Sequence, residues 1–177
     1  MTHRVTDDVA VERIDAAALR DHVDELAAVL VDCVDGGASV GFLPPLDHDR
    51  GVAFWLQQSA AVDDGTAPVL VARLGGRVVG TVQLKLAQLE NQAHRADVAK
   101  LLVHSSARRR GVAGALMAAV EGLARAEGRW LLVLDTLEGS DAERLYRRLG
   151  WSEAGSIPDY ALVPGGSAAT TVFWKRL

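Results

Sequence analysis

At 177 residues the chain can hold one domain with a real core, and it is too short for a second full domain. Its 49% hydrophobic and 24% charged residues exclude the composition of disorder, and a net charge of -4 argues against a nucleic-acid partner bound through a broad basic face. The one cysteine, Cys33, rules out an intrachain disulfide. Residues 1–10 are polar where a secretion signal would be apolar, and no run approaches the ~20 apolar residues of a membrane span. The expectation is one soluble, cytoplasmic domain over residues 1–177, with neither a nucleic-acid nor a membrane partner.

Along the chain, a short apolar stretch at 9–14 precedes Asp15, which can cap a helix over 16–34 carrying Leu19, Val23, Leu26, Ala27 and Leu30 at helical spacing. Gly36-Gly37 ends it and opens a small, partly apolar loop through Phe42 and Pro45; a second helix follows over 47–61. Strands over 68–74 and 77–86 flank Gly75-Gly76, a pair suited to a tight hairpin turn with positive φ. A third strand runs over 94–103. Val112, Leu116, Val120, Leu123 and Ala124 trace one helical stripe before Gly128, and the all-apolar run 130–134 reads as a buried strand. The last elements are a helix over 141–149 ended by Gly150, then strands near 151–157 and 170–174 separated by a Pro/Gly-rich loop.

The segment Arg108-Arg109-Arg110-Gly111-Val112-Ala113 enters a helix directly after a strand. Unpaired N–H groups and a partial positive charge at a helix start favour phosphate oxygens, and the glycine lets backbone approach a ligand closely. Neither the Gly-Lys-Ser/Thr of a Walker loop nor the three glycines of a dinucleotide fingerprint can be placed here. Alone, the pattern is equally that of a solvated basic turn, and a nucleotide site unrelated to acyl transfer also stays open.

Together with its surroundings, the run from Val103 to Met117 resembles motif A of the GNAT superfamily of N-acetyltransferases, whose core is Gln/Arg-x-x-Gly-x-Gly/Ala. The segment Ala142-Glu143-Arg144-Leu145-Tyr146-Arg147-Arg148-Leu149-Gly150-Trp151 is similar to that superfamily's Ala-x-x-Leu-Tyr-x-x-x-Gly-Phe, with Trp151 where Phe is usual. Residues 36–42, Leu134-Asp135-Thr136 with Gly139-Ser140, and Pro158-x-Tyr160 further resemble the tabtoxin resistance protein group, which acetylates a small amino-acid toxin. The resemblance implies an α/β fold (an α+β sheet with flanking helices): a mixed, mostly antiparallel sheet of about six to seven strands, about four helices and a central β-helix-β crossover. It also implies acetyl-CoA as co-substrate. The expected cofactor contacts are backbone near Leu102 and Val103 for the pantetheine arm and carbonyl, and Arg108, Arg109, Arg110, Gly111, Val112, Ala113 and Gly114 for the phosphates.

Acetyl transfer to an amine needs a deprotonated nucleophile, a polarised carbonyl and a proton for the departing thiolate, and it needs no metal. By resemblance, Tyr146 is the general acid toward the sulfur; its bland alternative is a packed aromatic. Asp135, at the C-terminal end of a buried strand, is the first candidate for the base, with capping of the next helix as its structural alternative. Asp97 is the reserve, or merely a partner of Arg95 or Lys100. His104 is a base or simply the end of its strand. His3, His22, His48 and His94 have no metal-ligand spacing among themselves or with Cys33, which reads as a small core residue. The expected acceptor is a small-molecule amine, amino-acid-like or toxin- or antibiotic-like, lying among Ser39, Phe42, Trp55, Asp97, Tyr160 and Asp135. The tryptophans Trp55, Trp130, Trp151 and Trp174 read as packing, with Trp55, on the substrate-side helix, the first exception and the candidate for acceptor contact. Alternatives are a protein or peptide N-acetyltransferase and a non-catalytic acyl-CoA binder. Oligomeric state is not legible.

Overall fold

The structure is a computed structural model and describes residues 9–177. His3 and most of the polar N-terminal segment lie outside the described residues. The elements in chain order are β1 (Ala10–Ile14), α1 (Ala16–Asp21), α2 (Val23–Asp35), α3 (His48–Asp63), β2 (Val69–Leu74), β3 (Arg77–Leu86), β4 (Arg95–Val103), α4 (Val112–Ala126), β5 (Leu131–Leu137), α5 (Asp141–Arg148), β6 (Ser152–Val163) and β7 (Gly166–Arg176). The strands form one seven-stranded sheet ordered β1-β2-β3-β4-β5-β7-β6. Only β4 and β5 are parallel, joined by the α4 crossover. This is the mixed, mostly antiparallel sheet the sequence implies.

Two apolar layers sandwich the sheet. On one side α4 lays Val112, Leu116, Met117, Val120 and Ala124 against Val82, Leu84, Ala96, Val98, Leu132 and Leu134. On the other, α1 to α3 bury Leu19, Leu26, Leu30 and Trp55 with Val69, Val71 and Leu102. A Cβ at Gly80 would lie 2.9 Å from Leu102 O, 3.1 Å from Leu116 Cδ1 and 3.2 Å from Val112 Cγ1, so glycine sets how closely α4 approaches β3.

The expected single helix over 16–34 is broken at His22 (φ −108°, ψ 16°), giving five α-helices among the described residues where about four were expected. At the break His22 Nδ1 is 3.1 Å from Glu25 Oε1, and Glu25 Oε2 accepts from Val78 N–H at 2.7 Å; a partner on a distant strand takes part in the redirection. The expected Pro/Gly-rich loop also differs. β6 and β7 pair through it as a long hairpin turning only after Val163, with a register shift between Ile157 and Ala161. Pro158 is tolerated because β6 is an edge strand that needs no donor on its open side.

Trp151 packs inside as expected, but Trp130 and Trp174 are 45% and 41% exposed. Trp130 stacks on His94 at 4.4 Å and lies 4.8 Å from the Arg176 guanidinium carbon, so its ring is covered by surface side chains instead of the core. Among the described residues no helix is long and apolar enough to cross a membrane.

Candidate active site

The parallel ladder between β4 and β5 holds only the pairs Arg95–Leu131, Ala96–Leu132 and Asp97–Val133, after which the strands part. The β5-facing edge of β4 from Val98 to Val103 therefore has no strand partner. Within that stretch, β4 bulges: Leu102 pairs with Thr81 and Ala99 with Gln83, leaving Lys100 and Leu101 opposite Val82 alone. Lys100 takes φ 52°, and Thr81 Oγ1 donates to its carbonyl at 2.8 Å. Leu102 and Val103 thus border an opening whose backbone groups can meet an extended ligand.

Beyond β4, Arg109 (φ 62°) and Gly111 (φ 80°) turn the chain into α4. The first bond into that helix is Ala115 N–H to Gly111 O, and Gly111 offers no side-chain cap, whereas Asp15, Asp47 and Ser140 cap α1, α3 and α5. The N–H groups of Val112, Ala113 and Gly114 consequently precede the intrahelical ladder. Chain neighbours and the helix's own backbone aside, no atom lies within 4 Å of where a Cβ on Gly111 or Gly114 would stand, so this helix start is uncrowded. An uncapped helix start facing open space fits a pyrophosphate. Arg108 belongs to the frame of this turn: its Nε donates to Val103 O at 3.2 Å, and its Nη2 lies 3.9 Å from Asp32. Arg110 lines a separate cavity of about 260 Å³ with Glu25, Arg77 and His104, which includes neither Tyr146 nor Asp135.

Tyr146 is 5% exposed, with its ring 5.9 Å from Trp151 and 6.0 Å from Phe173. Burial, and then the charge of Asp135, push its phenol well above the ordinary range, so it stays protonated. Asp135 is exposed on β5 beyond its last pair with β4, accepts from Thr170 Oγ1 at 3.3 Å, and is in no ion pair among the described residues. The cap of α5 is Ser140, which accepts from Glu143 N–H at 3.1 Å, so capping is not the task of Asp135. Asp97 is held by Arg95 at 2.7 and 2.8 Å. His104 is a turn builder: its Nδ1 accepts from Ser106 N–H at 3.2 Å and its Nε2 faces Asp32 at 3.7 Å. Burial raises the Cys33 thiol pKa, and its Sγ donates to Val103 O at 3.4 Å, in keeping with a core role.

The loop over 36–45 is tied to β4, α2 and α3. Lys100 Nζ donates to Val40 O at 2.9 Å, Leu46 N–H donates to Asp35 Oδ1 at 3.1 Å, and Phe42 meets Phe54 edge to face at 5.4 Å. Ser39 and Phe42 are half-buried within it. Tyr160 stands 55% exposed on the β6 hairpin. Trp55 corrects the expectation of acceptor contact: it is wholly buried, and its indole N–H donates to Leu26 O at 3.0 Å, leaving no surface for a ligand. Sequence reading gave Phe54 no role and Lys100 only that of a partner for Asp97. The latter carried a signal, as the one charge in the apolar run Val98-Ala99-Lys100-Leu101-Leu102-Val103.

A strand pair that splays beside an uncapped crossover helix can take an extended, phosphate-bearing ligand. The comparisons name the family. The acetyltransferase (GNAT) domain profile matches residues 65–153. An uncharacterized N-acetyltransferase from the hisH–hisA intergenic region of Azospirillum brasilense is 33% identical over 133 residues, covering 74% of this chain and 77% of the relative. The fold is shared with a putative acetyltransferase from Salmonella typhimurium solved with its cofactor acetyl-CoA (TM-score 0.76, 18% identity, 96% of this chain and 94% of that one). It is shared too with a ribosomal-protein-alanine N-acetyltransferase from Brucella melitensis (TM-score 0.76, 24% identity, 95% and 99%). This chain belongs to the GNAT family and is an acetyl-CoA-dependent N-acetyltransferase.

Proposed function

We propose that the enzyme acetylates a primary amine on a small, amino-acid-like or toxin-like molecule, as the resemblance to the tabtoxin resistance group suggests. Acetyl-CoA supplies an activated thioester. The backbone donors of Arg109 to Gly114 hold its phosphates, and backbone at Leu102 and Val103 borders the acyl arm. Asp135 Oδ takes the proton that the attacking amine loses, directly or through water. Tyr146 Oη gives a proton to the thiolate as the C–S bond breaks and the C–N bond forms. Asp97 has a smaller claim to the base, since Arg95 already occupies its carboxylate.

The observation that carries this reading is Asp135. It is an exposed carboxylate without an ion pair among the described residues, on the part of β5 that has left β4, and its charge adds to burial in raising the Tyr146 pKa. The lid-like loop over 36–45 supports a small acceptor over a peptide running through an open groove. The test is thiol release from acetyl-CoA across amino acids, polyamines, aminoglycosides and N-terminal peptides, with wild type and Asp135→Asn. Turnover on small amines that falls at least about 100-fold in the variant supports the assignment. Turnover on peptides alone, or an unimpaired variant, removes it.

A further inference from the structure

The bulge on β4 does more than widen the opening. A positive φ is unfavourable for any residue with a Cβ, yet it is a lysine that occupies the position. Lys100 extends on the side of the sheet that carries α3, where Nζ donates to Val40 O at 2.9 Å and lies 5.3 Å from the Phe54 ring centroid. An ammonium has three donors, and Val40 O accounts for one. Asp97, the acid nearest along β4, is engaged by Arg95 at 2.7 and 2.8 Å, and Lys100 forms no ion pair with any described residue. A half-buried cation in that position is costly unless something pairs with it. Burial lowers its pKa, Lys85 lowers it further, and only the charge of Asp135 acts the other way.

Leu132 and Leu134 of β5 point into the α4 layer, so Asp135 belongs to the opposite face, the one Lys100 occupies. A carboxylate and an ammonium that has no ion pair among the described residues thus stand on one face, on the two strands that diverge around the opening. We propose that Lys100 is a specificity-determining residue that binds a carboxylate carried beside the reacting amine, so that the acceptor is a zwitterionic amino acid and not a polyamine or a simple amine. This rests on the small-molecule reading above and deepens it. Lys85 and Lys100 would both repel a second positive charge on the acceptor, which is the opposite of what a polyamine site requires.

The test uses matched acceptors: each of a set of L-amino acids, its primary amide and its decarboxylated amine, assayed by thiol release at saturating acetyl-CoA. In the wild type the free acid should exceed its amide in kcat/KM by about 10- to 100-fold, the effect of a charge-assisted hydrogen bond. Lys100→Met should bring that ratio close to one, chiefly through KM for the acids, while Lys100→Arg should keep most of it. Because the ratio is taken within each variant, a general loss of folded enzyme cancels, and if Lys100→Met fails to fold the ratio is read in Lys100→Gln, where it should likewise approach one. A wild-type ratio near one, or a preference that survives in Lys100→Met, overturns the inference while leaving small-amine transfer standing. If no small amine is acetylated at all, both fall together.

Discussion

Replacing Tyr146 by Phe removes one oxygen and leaves the ring against Trp151 and Phe173, so the variant should fold with the wild-type melting temperature. The magnitude follows from acid strength. A phenol at its ordinary pKa near 10 is ~1.5 units weaker than a thiol near ~8.5, so handing its proton to a free thiolate is uphill by at least about 2 kcal/mol. Burial and Asp135 make the phenol weaker still. General acids typically contribute ~10²- to 10⁴-fold, and this mismatch reduces the figure to about 10- to 100-fold in kcat. The assay is single-turnover acetyl transfer to an acceptor from the amine panel, with acetyl-CoA affinity measured separately by calorimetry. The expected result is a slower chemical step with affinity changed less than about threefold. Because the phenol's pKa is raised, wild-type kcat should show no decline from tyrosine ionisation as pH rises from 7 to about 10. An unchanged single-turnover rate would refute the role, as would a rate loss explained wholly by weaker cofactor binding.

Three further outcomes follow from the geometry. Gly111→Val places a β-branched residue at φ 80° in the open space before α4; acetyl-CoA affinity should drop at least about tenfold with a smaller effect on kcat, and equal affinity by calorimetry would count against the phosphate cradle. Gly80→Ala should destabilise the fold by about 1–3 kcal/mol in urea denaturation, since the new Cβ meets backbone at Leu102 O; an unshifted midpoint would mean that α4 rides more loosely on β3 than described. For Glu143, the Arg147 guanidinium first, then the Gly139 N–H and Thr171, hold the carboxyl below its ordinary value of 4.5. A depressed folded-state pKa means that its stabilisation is complete above about pH 4.5 and is lost as pH falls through the lower value. Glu143→Gln should therefore lower Tm at pH 7 and converge with wild type at acid pH, and a Tm gap constant from pH 7 to 3 would contradict this.

What the sequence made legible was what short-range chemistry encodes. Gly75-Gly76 marks the β2–β3 turn because both residues need positive φ, and the α4 stripe is visible because its partners repeat at helical spacing. The break at His22 was not visible, since Glu25, beside it, takes its backbone donor from Val78, 53 residues away. Nor was the fate of Trp55: a tryptophan on a helix with polar neighbours looks accessible until α2 supplies Leu26 O as its acceptor. The β6–β7 hairpin was hidden because Pro and Gly interrupt its alternation, and pairing across the bulge, not local propensity, continues the strand. Tyr146 was legible only by resemblance. Lys100 was legible as an oddity, but its meaning depends on a register shift that one strand cannot reveal.

The last turn of α2 relates the two halves of the proposed site to one another. Asp32 accepts from Ser105 N–H and Ser105 Oγ, both at 2.7 Å, which anchors the turn leading into the α4 cradle. Burial opposes its charge, but these donors, with His104 and Arg108, hold the carboxyl below its ordinary range, so it is ionised at neutral pH. One turn further on, Asp35 ties down Leu46 and so draws together the ends of the loop over 36–45. The loop can therefore vary between fixed ends without pulling on the cradle, because its anchors are a different carboxylate on the same rigid helix. Changes at Ser39 or Phe42 should alter which amine is accepted while leaving acetyl-CoA affinity nearly intact. Changes at Asp32 or Arg108 should weaken acetyl-CoA affinity first, since both side chains frame the phosphate turn.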